Sequence, residues 1–163
     1  MLYFFKGRNL IEFKSPVIGK AVEITTAPDE VFASKMIGDG IAFVPAEGVL
    51  YAPVDGEIIQ TFPTKHAVGL RTPEGLEIII HIGIDTVALG GEGFDNFIEQ
   101  NQRVRTGDKL MSFNIDLIKQ KAKSIMILVV ITNMEKVKTL TFHYGNVNPS
   151  LTVMKIKVNN FQL

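Results

Sequence analysis

The sequence contains no cysteine. This absence excludes disulfide bonds, cysteine-ligated zinc sites and thiol nucleophiles, and it fits the reducing environment of the cytoplasm. Neither sign of charge is in excess, because 17 Lys and Arg residues balance 17 Asp and Glu residues. Without an overall field that would attract nucleic acid or an anionic membrane, any charge-guided binding has to come from local patches.

Long hydrophobic runs are also missing. The run at the N-terminus has five apolar residues, whereas a secretory signal needs at least about 7 and a membrane-spanning helix about 18. The 163 residues are nevertheless 46% hydrophobic, which is enough for one sizeable core and too much for a disordered chain. We therefore expect a single domain over residues 1–163 that is soluble and cytoplasmic, with no integral membrane segment and no nucleic-acid partner.

Short β-rich runs, separated by glycine and proline, follow one another along the whole chain. This spacing predicts a mainly β fold, an antiparallel sandwich or barrel of short strands. Helices are predicted at Asp29–Ile37, Gly93–Gln100 and Asp116–Lys123, the last with Asp116 as its N-cap, and all are too short to build a bundle. The predicted strands are Lys20–Thr26, Gly40–Val44, Gly56–Phe62, His66–Arg71, Leu76–Ile84, Lys109–Phe113, Met126–Thr132 and Thr152–Val158.

Two segments share one sequence pattern. Ser15–Gly19 is echoed 37 residues later by Ala52–Gly56, and each has a small residue, Pro, Val, a variable residue and Gly. Pro restricts φ and Gly accepts positive φ, so both segments suit a turn that leads into a strand. The repeat is consistent with a duplicated motif, and equally with two strands that begin with the same turn chemistry.

Two of the three histidines flank a predicted hairpin. Thr72–Gly75, which reads Thr-Pro-Glu-Gly, suits a type I turn between the two strands. If Arg71 pairs with Leu76, then His66 faces His81, with Cβ atoms about 4.5–5.5 Å apart. A slip of one residue would point the two side chains to opposite faces of the sheet.

In this register the histidine side of the hairpin is largely apolar, with Val68 opposite Ile79. Gly83, two residues beyond His81, leaves room beside the ring for a bulky phosphoryl group. An imidazole can act as a nucleophile and carry such a group, and a neighbouring ring N–H can set its tautomer or donate to a phosphoryl oxygen. The same residues also permit two core histidines that bond to each other or to the backbone.

Eight strings, spread between about Phe13 and Val158, occur in a recognisable order. They are Ile37–Ala42, Ala52–Gly56, Thr64–His66, His81–Val87, Gly91–Phe94, Gln102–Asp108, Lys121–Ser124 and Val130–Met134. Together they resemble the glucose-family enzyme IIA (EIIA) domain of the bacterial phosphoenolpyruvate-dependent sugar phosphotransferase system.

The resemblance implies a phosphocarrier that needs no cofactor and no metal. His81 matches the residue that accepts a phosphoryl group, at Nε2, from the histidine-containing protein HPr. His66 matches the partner histidine needed for onward transfer, and Thr64 matches the threonine that orients it. The group then passes to a cysteine in the IIB domain of a sugar permease.

The resemblance also implies a docking surface. Asp39 and Asp85 match acidic residues that meet basic residues of HPr, whereas Phe62 and Ile41 match apolar residues around the histidines. Without the resemblance, Asp39 would be interpreted as a turn residue and Phe62 as a core residue. His143 matches nothing in these strings, and we expect it to be structural or exposed.

Three alternatives remain at this point. His81–Asp85 has the His-x-x-x-Asp spacing of certain zinc peptidases, but no His-x-His supplies a third ligand. A biotinyl or lipoyl carrier would need a lysine at a hairpin tip, and neither Thr64–His66 nor Gly107–Leu110 has that context. A regulatory protein that keeps the EIIA fold and both histidines is the third alternative.

Overall fold

The computed structural model describes residues 10–159, which form mainly antiparallel β-strands. The N-terminal apolar run and residues 160–163 lie outside the described part. Two α-helices, α1 (Glu30–Ala33) and α2 (Ile115–Lys121), and three short 3-10 turns connect the strands. The strands are β1 Leu10–Lys14, β2 Gly19–Glu23, β3 Asp39–Pro45, β4 Val49–Tyr51, β5 Gly56–Thr61, β6 Ala67–Arg71, β7 Glu77–Ile84, β8 Phe94–Asn96, β9 Arg103–Val104, β10 Lys109–Phe113, β11 Ser124–Ile131, β12 Val137–Phe142, β13 Gly145–Val147 and β14 Thr152–Val158.

The strands form one large sheet and two small ones. The large sheet has eight strands in the order β13-β2-β3-β11-β7-β6-β5-β9, and the small sheets have the orders β1-β14-β12 and β4-β10-β8. One face of the large sheet packs with residues of the small sheets into the main hydrophobic core. The predicted mainly β, antiparallel fold with short helical turns is therefore confirmed.

The strand order shows an internal duplication. β4 to β10 form one half, which is inserted between β3 and β11 of the other half. Strand pairs of one half have counterparts in the other. The pair β1–β14 corresponds to the pair β4–β10, the pair β2–β3 corresponds to β5–β6, and the pair β3–β11 corresponds to β6–β7. The two halves join where β7 pairs with β11, in the middle of the large sheet.

Reciprocal backbone hydrogen bonds link the two repeated segments. The N–H of Lys14 donates to the carbonyl of Pro53, and the N–H of Tyr51 donates to the carbonyl of Pro16, both at 2.8 Å. Residues 14 and 51, like residues 16 and 53, are separated by the 37 residues that separate the repeats in the sequence. This exchange confirms the duplicated motif.

The central strands are apolar on both faces because both faces are covered. On β7, Ile78, Ile80 and Ile82 point into the main core, whereas Ile79 and His81 lie on the opposite face. A second, smaller apolar cluster covers that opposite face next to β11. It includes Ile24, Ala27, Phe32, Ala42, Ile84, Leu128 and Val130.

All eight predicted strands are present, with ends that differ by up to three residues. β1, β4, β8, β9, β12 and β13 were not predicted. Four of these have two or three residues, too few for an alternating pattern to be recognised. β12 is the longest of the six, and it is half exposed or exposed throughout, so its side chains do not mark a buried face.

The first two predicted helices differ from the structure. Asp29 caps α1 by accepting a hydrogen bond from the N–H of Val31, but the helix ends at Ala33, just before Lys35 takes a left-handed φ of 62°. The helix predicted at Gly93–Gln100 is wrong, because that segment contains β8, which pairs with β10. Phe97 is 53% exposed, so the apolar helical face that the prediction assumed does not exist.

The N-cap of the third helix lies two residues earlier than predicted, and the helix ends at Lys121. Its N-cap is Asn114, whose side chain accepts a hydrogen bond from the N–H of Leu117, and Asp116 lies in the first turn. Asn114→Ala should therefore lower the free energy of unfolding by about 1 kcal/mol, as loss of an N-cap does. Asp116→Ala is the matched control. It should lower the free energy of unfolding by only about 0.3 kcal/mol, because it removes one negative charge from the helix N-terminus. Urea unfolding measures both; equal losses would contradict this assignment of the cap.

Candidate functional site

The hairpin that carries the histidines differs from the predicted register by one residue. Arg71 pairs with Glu77, so His81 lies opposite Ala67 and not opposite His66. The reason is the turn: the N–H of Thr72 donates to the carbonyl of Leu76, and the N–H of Leu76 donates to the hydroxyl of Thr72, so Leu76 belongs to the turn and β7 begins at Glu77. The predicted pairing, with Val68 on the histidine side, is wrong.

The two histidine rings nevertheless meet. Their centroids are 5.1 Å apart, and the ring planes are 75° from parallel. His66 precedes β6 and follows Lys65, which has a left-handed φ of 57°, so the alternation of side chains along the strand does not apply to it. A hydrogen bond of 2.7 Å from the N–H of Ile82 to the carbonyl of His66 holds this residue beside β7.

His81 has a defined tautomer. Its Nδ1 lies 2.7 Å from the carbonyl oxygen of Gly83. A carbonyl can only accept, so Nδ1 carries the proton and donates it, and Nε2 of the neutral ring keeps a free lone pair. Burial lowers the pKa of His81 below its ordinary value of 6.5, although the bond to Gly83 and the charges of Asp29 and Asp85 act in the opposite direction.

His66 is 8% exposed, and its Nδ1 lies 2.7 Å from the hydroxyl of Thr64. A hydroxyl can donate or accept, so this contact orients the ring and is compatible with a proton on Nε2. Burial lowers the pKa of His66, and the neighbouring His81 lowers it further. The structure thus brings together the three residues predicted for catalysis, Thr64, His66 and His81.

Two phenylalanines enclose the histidine pair. The ring of Phe62 lies 5.3 Å from that of His66, and the ring of Phe32 lies 5.1 Å from that of His81. The four rings therefore follow one another in the order Phe62, His66, His81, Phe32. Phe32 was missed in the sequence, because it comes from α1 and its contact with His81 exists only in the folded protein.

The outer face of the large sheet around His81, which we call the histidine face, is apolar and formed partly by small side chains. Ala67 and Gly69 of β6 lie opposite His81 and Ile79 on this face. On the other side, Leu128 and Val130 of β11 lie opposite the same two residues. Small neighbours on one side and a covered apolar surface on the other leave the edge of the His81 ring half exposed.

The two acidic residues predicted for docking lie near the surface. Asp85 directly follows β7, is exposed, and has a left-handed φ of 63°. Asp39 begins β3 and is half exposed; its carboxylate accepts a hydrogen bond from the N–H of Gly40 and lies 3.6 Å from the ammonium group of Lys35. Asp39 therefore has a cationic partner within this chain.

Of the two apolar residues predicted for docking, Phe62 is half buried against His66. The prediction for Ile41 is wrong, because its side chain is 0% exposed and packs in the main core. Ile41 alternates with Ala42, which faces the histidine side, so a partner protein cannot reach Ile41. The segments next to Phe32, Asp39 and Asp85 carry exposed apolar side chains that the sequence analysis missed, namely Val31, Met36 and Val87.

Residues 10–159 contain no group of three or more His, Cys, Asp or Glu side chains placed to hold a metal ion. His143 lies between β12 and β13, and its side chain is exposed. Within the same range, no helix has the length and apolar composition needed to cross a membrane.

Comparison with known proteins identifies the family of this chain. Residues 11–137 match the family described as phosphoenolpyruvate-dependent sugar phosphotransferase system, EIIA 1. A glucose-specific EIIA component of Bacillus cereus is 47% identical over 145 residues, 87% of each chain. A glucose-specific EIICBA component of Staphylococcus saprophyticus is 47% identical over 125 residues, which are 77% of this chain and 18% of that protein.

A solved structure has the same fold. The glucose permease IIA of Mycoplasma capricolum superposes with a TM-score of 0.85 and 38% sequence identity, over 90% of this chain and 95% of the other. The fold, the family match and the relatives agree with one another. This chain belongs to the EIIA 1 family of the phosphoenolpyruvate-dependent sugar phosphotransferase system.

Proposed function

We propose that the protein carries phosphoryl groups: His81 takes one from the phosphohistidine of HPr and passes it to a cysteine in the IIB domain of a sugar permease. The observation that carries this proposal is the hydrogen bond from His81 Nδ1 to Gly83, because it leaves Nε2 as the nucleophile beside His66. The relatives named glucose-specific EIIA components support it, and they favour a permease for glucose or a similar sugar.

In the first step, the lone pair of His81 Nε2 attacks the phosphorus atom of phospho-HPr. A P–N bond to His81 forms while the P–N bond to the donor histidine breaks, and the electron pair returns to that histidine. The proton on Nδ1 of His81 stays in place, bound to the carbonyl of Gly83. Catalysis of such a transfer depends chiefly on positioning and on stabilisation of the phosphoryl oxygens.

His66 is the group placed to stabilise those oxygens. Its ring is 5.1 Å from the ring of His81, and Thr64 holds Nδ1, so an N–H at Nε2 can donate to a phosphoryl oxygen. In the second step, a cysteine thiolate attacks the phosphorus, and the P–N bond to His81 breaks. Because this chain has no cysteine, the acceptor thiol belongs to another domain or protein. The related EIICBA component, whose name joins A to B and C, fits such a partnership.

The lowered pKa values of both histidines suit this role. A ring must be neutral to attack phosphorus, and burial disfavours the cationic form of both His66 and His81. The partners dock, in this proposal, on the histidine face, where Phe62 supplies apolar contact. The exposed Val31 directly precedes Phe32, and the exposed Val87 follows Asp85 by two residues, so both are proposed to extend this surface. Asp39 and Asp85 attract basic residues of HPr, and the whole exchange takes place in the cytoplasm.

His81→Gln should abolish labelling when the protein is mixed with phosphoenolpyruvate, enzyme I and HPr, because the nucleophile is gone. His66→Gln should still be labelled at His81 but should transfer the group to a IIB domain at least about 100-fold more slowly, since an oxyanion donor contributes that much. His143→Gln is the matched control and should behave like the unmodified protein. The assay follows radioactive phosphate into acid-labile, base-stable protein adducts. If His66→Gln supported sugar phosphorylation at the same rate as the unmodified protein, the two-histidine mechanism would be disproved.

The lowered pKa values also predict a pH dependence of stability. Because both histidines titrate below 6.5 in the folded protein, the unfolded chain takes up protons first as the pH falls. The free energy of unfolding should be constant around pH 7.5 and should decrease below about pH 6.5. The double variant His66→Gln/His81→Gln should lose less stability over this window, as measured by urea unfolding at pH 7.5 and 5.5. An identical decrease in both proteins would show that other groups cause it.

The acidic residues predict a salt-dependent association. Asp39→Asn/Asp85→Asn should lower kcat/KM for phosphorylation by HPr several-fold at low ionic strength, and the difference should shrink in about 1 M salt. Asn tolerates the left-handed conformation of residue 85, so the variant should keep the local structure. Asp95→Asn, an exposed acid on β8, serves as the control. Unchanged kinetics at low salt would mean that the two acids have only local structural roles.

A further inference from the structure

The chain makes an unusual turn directly after His81. Gly83 has a φ of 75° and Asp85 a φ of 63°, so two left-handed residues occur within three positions at the end of β7. This turn brings the carbonyl of Gly83 to Nδ1 of His81. A non-glycine residue in the left-handed region is disfavoured, so the surrounding structure has to stabilise the turn.

Thr86 is the residue that encloses this turn. It is 0% exposed, one of four buried polar residues in the part of the chain that the structure describes. Its hydroxyl donates to the carbonyl oxygen of Ile82, and its methyl group lies only 2.4 Å from where a Cβ on Gly83 would be. The carbonyl oxygen of Ser124 approaches the same point to 3.0 Å. A side chain at residue 83 would therefore clash with Thr86, and only glycine fits against it.

The duplicated half of the fold provides an internal comparison. Lys20 and Glu57, which are 37 residues apart, pair with Val44 and Arg71, so Gly40 of β3 corresponds to Ala67 of β6. Gly40 pairs with Val130 and Ala67 pairs with His81, and Val130 is therefore the counterpart of His81. By the same spacing Thr132 corresponds to Gly83, and it is not among the residues with positive φ. Glu135, the counterpart of Thr86, is exposed. The left-handed turn with a buried hydroxyl is thus absent at this place, where no ring has to be oriented.

We propose that Thr86 is a positioning residue for His81. Through its hydrogen bond to Ile82, the hydroxyl holds residue 86 against Gly83 and so directs the carbonyl of Gly83 at Nδ1 of His81. The proton then stays on Nδ1, and Nε2 remains free to accept the phosphoryl group. The expected effect of Thr86 on the tautomer of His81 follows from this geometry alone. Its expected effect on the rate of phosphoryl transfer rests on the proposed function.

The test uses two variants that remove different parts of one side chain. Thr86→Val keeps the shape but removes the hydroxyl, and Thr86→Ser keeps the hydroxyl but removes the methyl group. Nitrogen NMR of ¹⁵N-histidine-labelled protein at pH 7.5 reports which ring nitrogen of His81 carries the proton. We expect the Nδ1–H form in the unmodified protein and in Thr86→Ser, and a mixture of both tautomers in Thr86→Val.

Single-turnover phosphorylation by HPr provides the functional readout. Thr86→Val should lower the maximal rate about tenfold, because misplacement of a reacting group of well under 1 Å has effects of this order. The HPr concentration at half-maximal rate should change less than about twofold, since Thr86 is buried and does not touch a docked partner. Thr86→Ser should retain most of the rate.

The possible results distinguish a failure of the role of Thr86 from a failure of the proposed function. An Nδ1–H tautomer and an unchanged rate in folded Thr86→Val would overturn the inference and leave the phosphocarrier function intact. A predominant Nε2–H form in the unmodified protein also overturns the inference. If Thr86→Val does not fold, Thr86→Ala, which also lacks the hydroxyl, takes its place in both measurements. A protein with the expected tautomers that HPr cannot phosphorylate would refute the proposed function and leave the positioning role of Thr86 standing.

Discussion

The hydrogen bond between His81 Nδ1 and the carbonyl of Gly83 is the interaction on which the candidate site depends. It determines which ring nitrogen has a free lone pair, and therefore which atom can attack phosphorus. The contacts around it serve this arrangement. Burial lowers the pKa of the ring and so favours its neutral form, and the rings of Phe32 and His66 both pack against it. A ring without this bond could protonate at either nitrogen and would present its nucleophile only part of the time.

The duplicated architecture explains how a β-sheet can support such a site. β7 and β11 pair at the centre of the large sheet, and each half supplies equivalent strands around them. Strands at this position are covered on both faces, so the backbone under His81 is held on both sides. The two halves differ at the candidate site: His81 corresponds to Val130 of the other half, and His66, which precedes Ala67, corresponds to Asp39, which precedes Gly40. The duplicated strands support the backbone at the site, and the two histidines lie at positions where the halves differ in sequence.

The two histidine rings meet although the predicted register of the hairpin is wrong. The predicted register would have placed His66 and His81 opposite each other on paired strands, and the structure has Ala67 in that place. The rings meet because Lys65 is left-handed and His66 lies outside the regular strand, where the alternation rule does not hold. Ile41 shows the opposite case: it lies in a recognised string, yet its side chain points into the core.

The sequence by itself determined the mainly β class, eight of the strands, the repeat at Ser15 and Ala52, and the grouping of Thr64, His66 and His81. These depend on local patterns of apolar residues, turn residues and ordered strings, which are visible along the chain. Tertiary structure decided the register of the hairpin, the strand at Phe94, the burial of Ile41 and the contact of Phe32 with His81. Those features depend on which distant segments pack together. Burial, exposure and a ring-to-ring distance are properties of that packing, and no local pattern contains them.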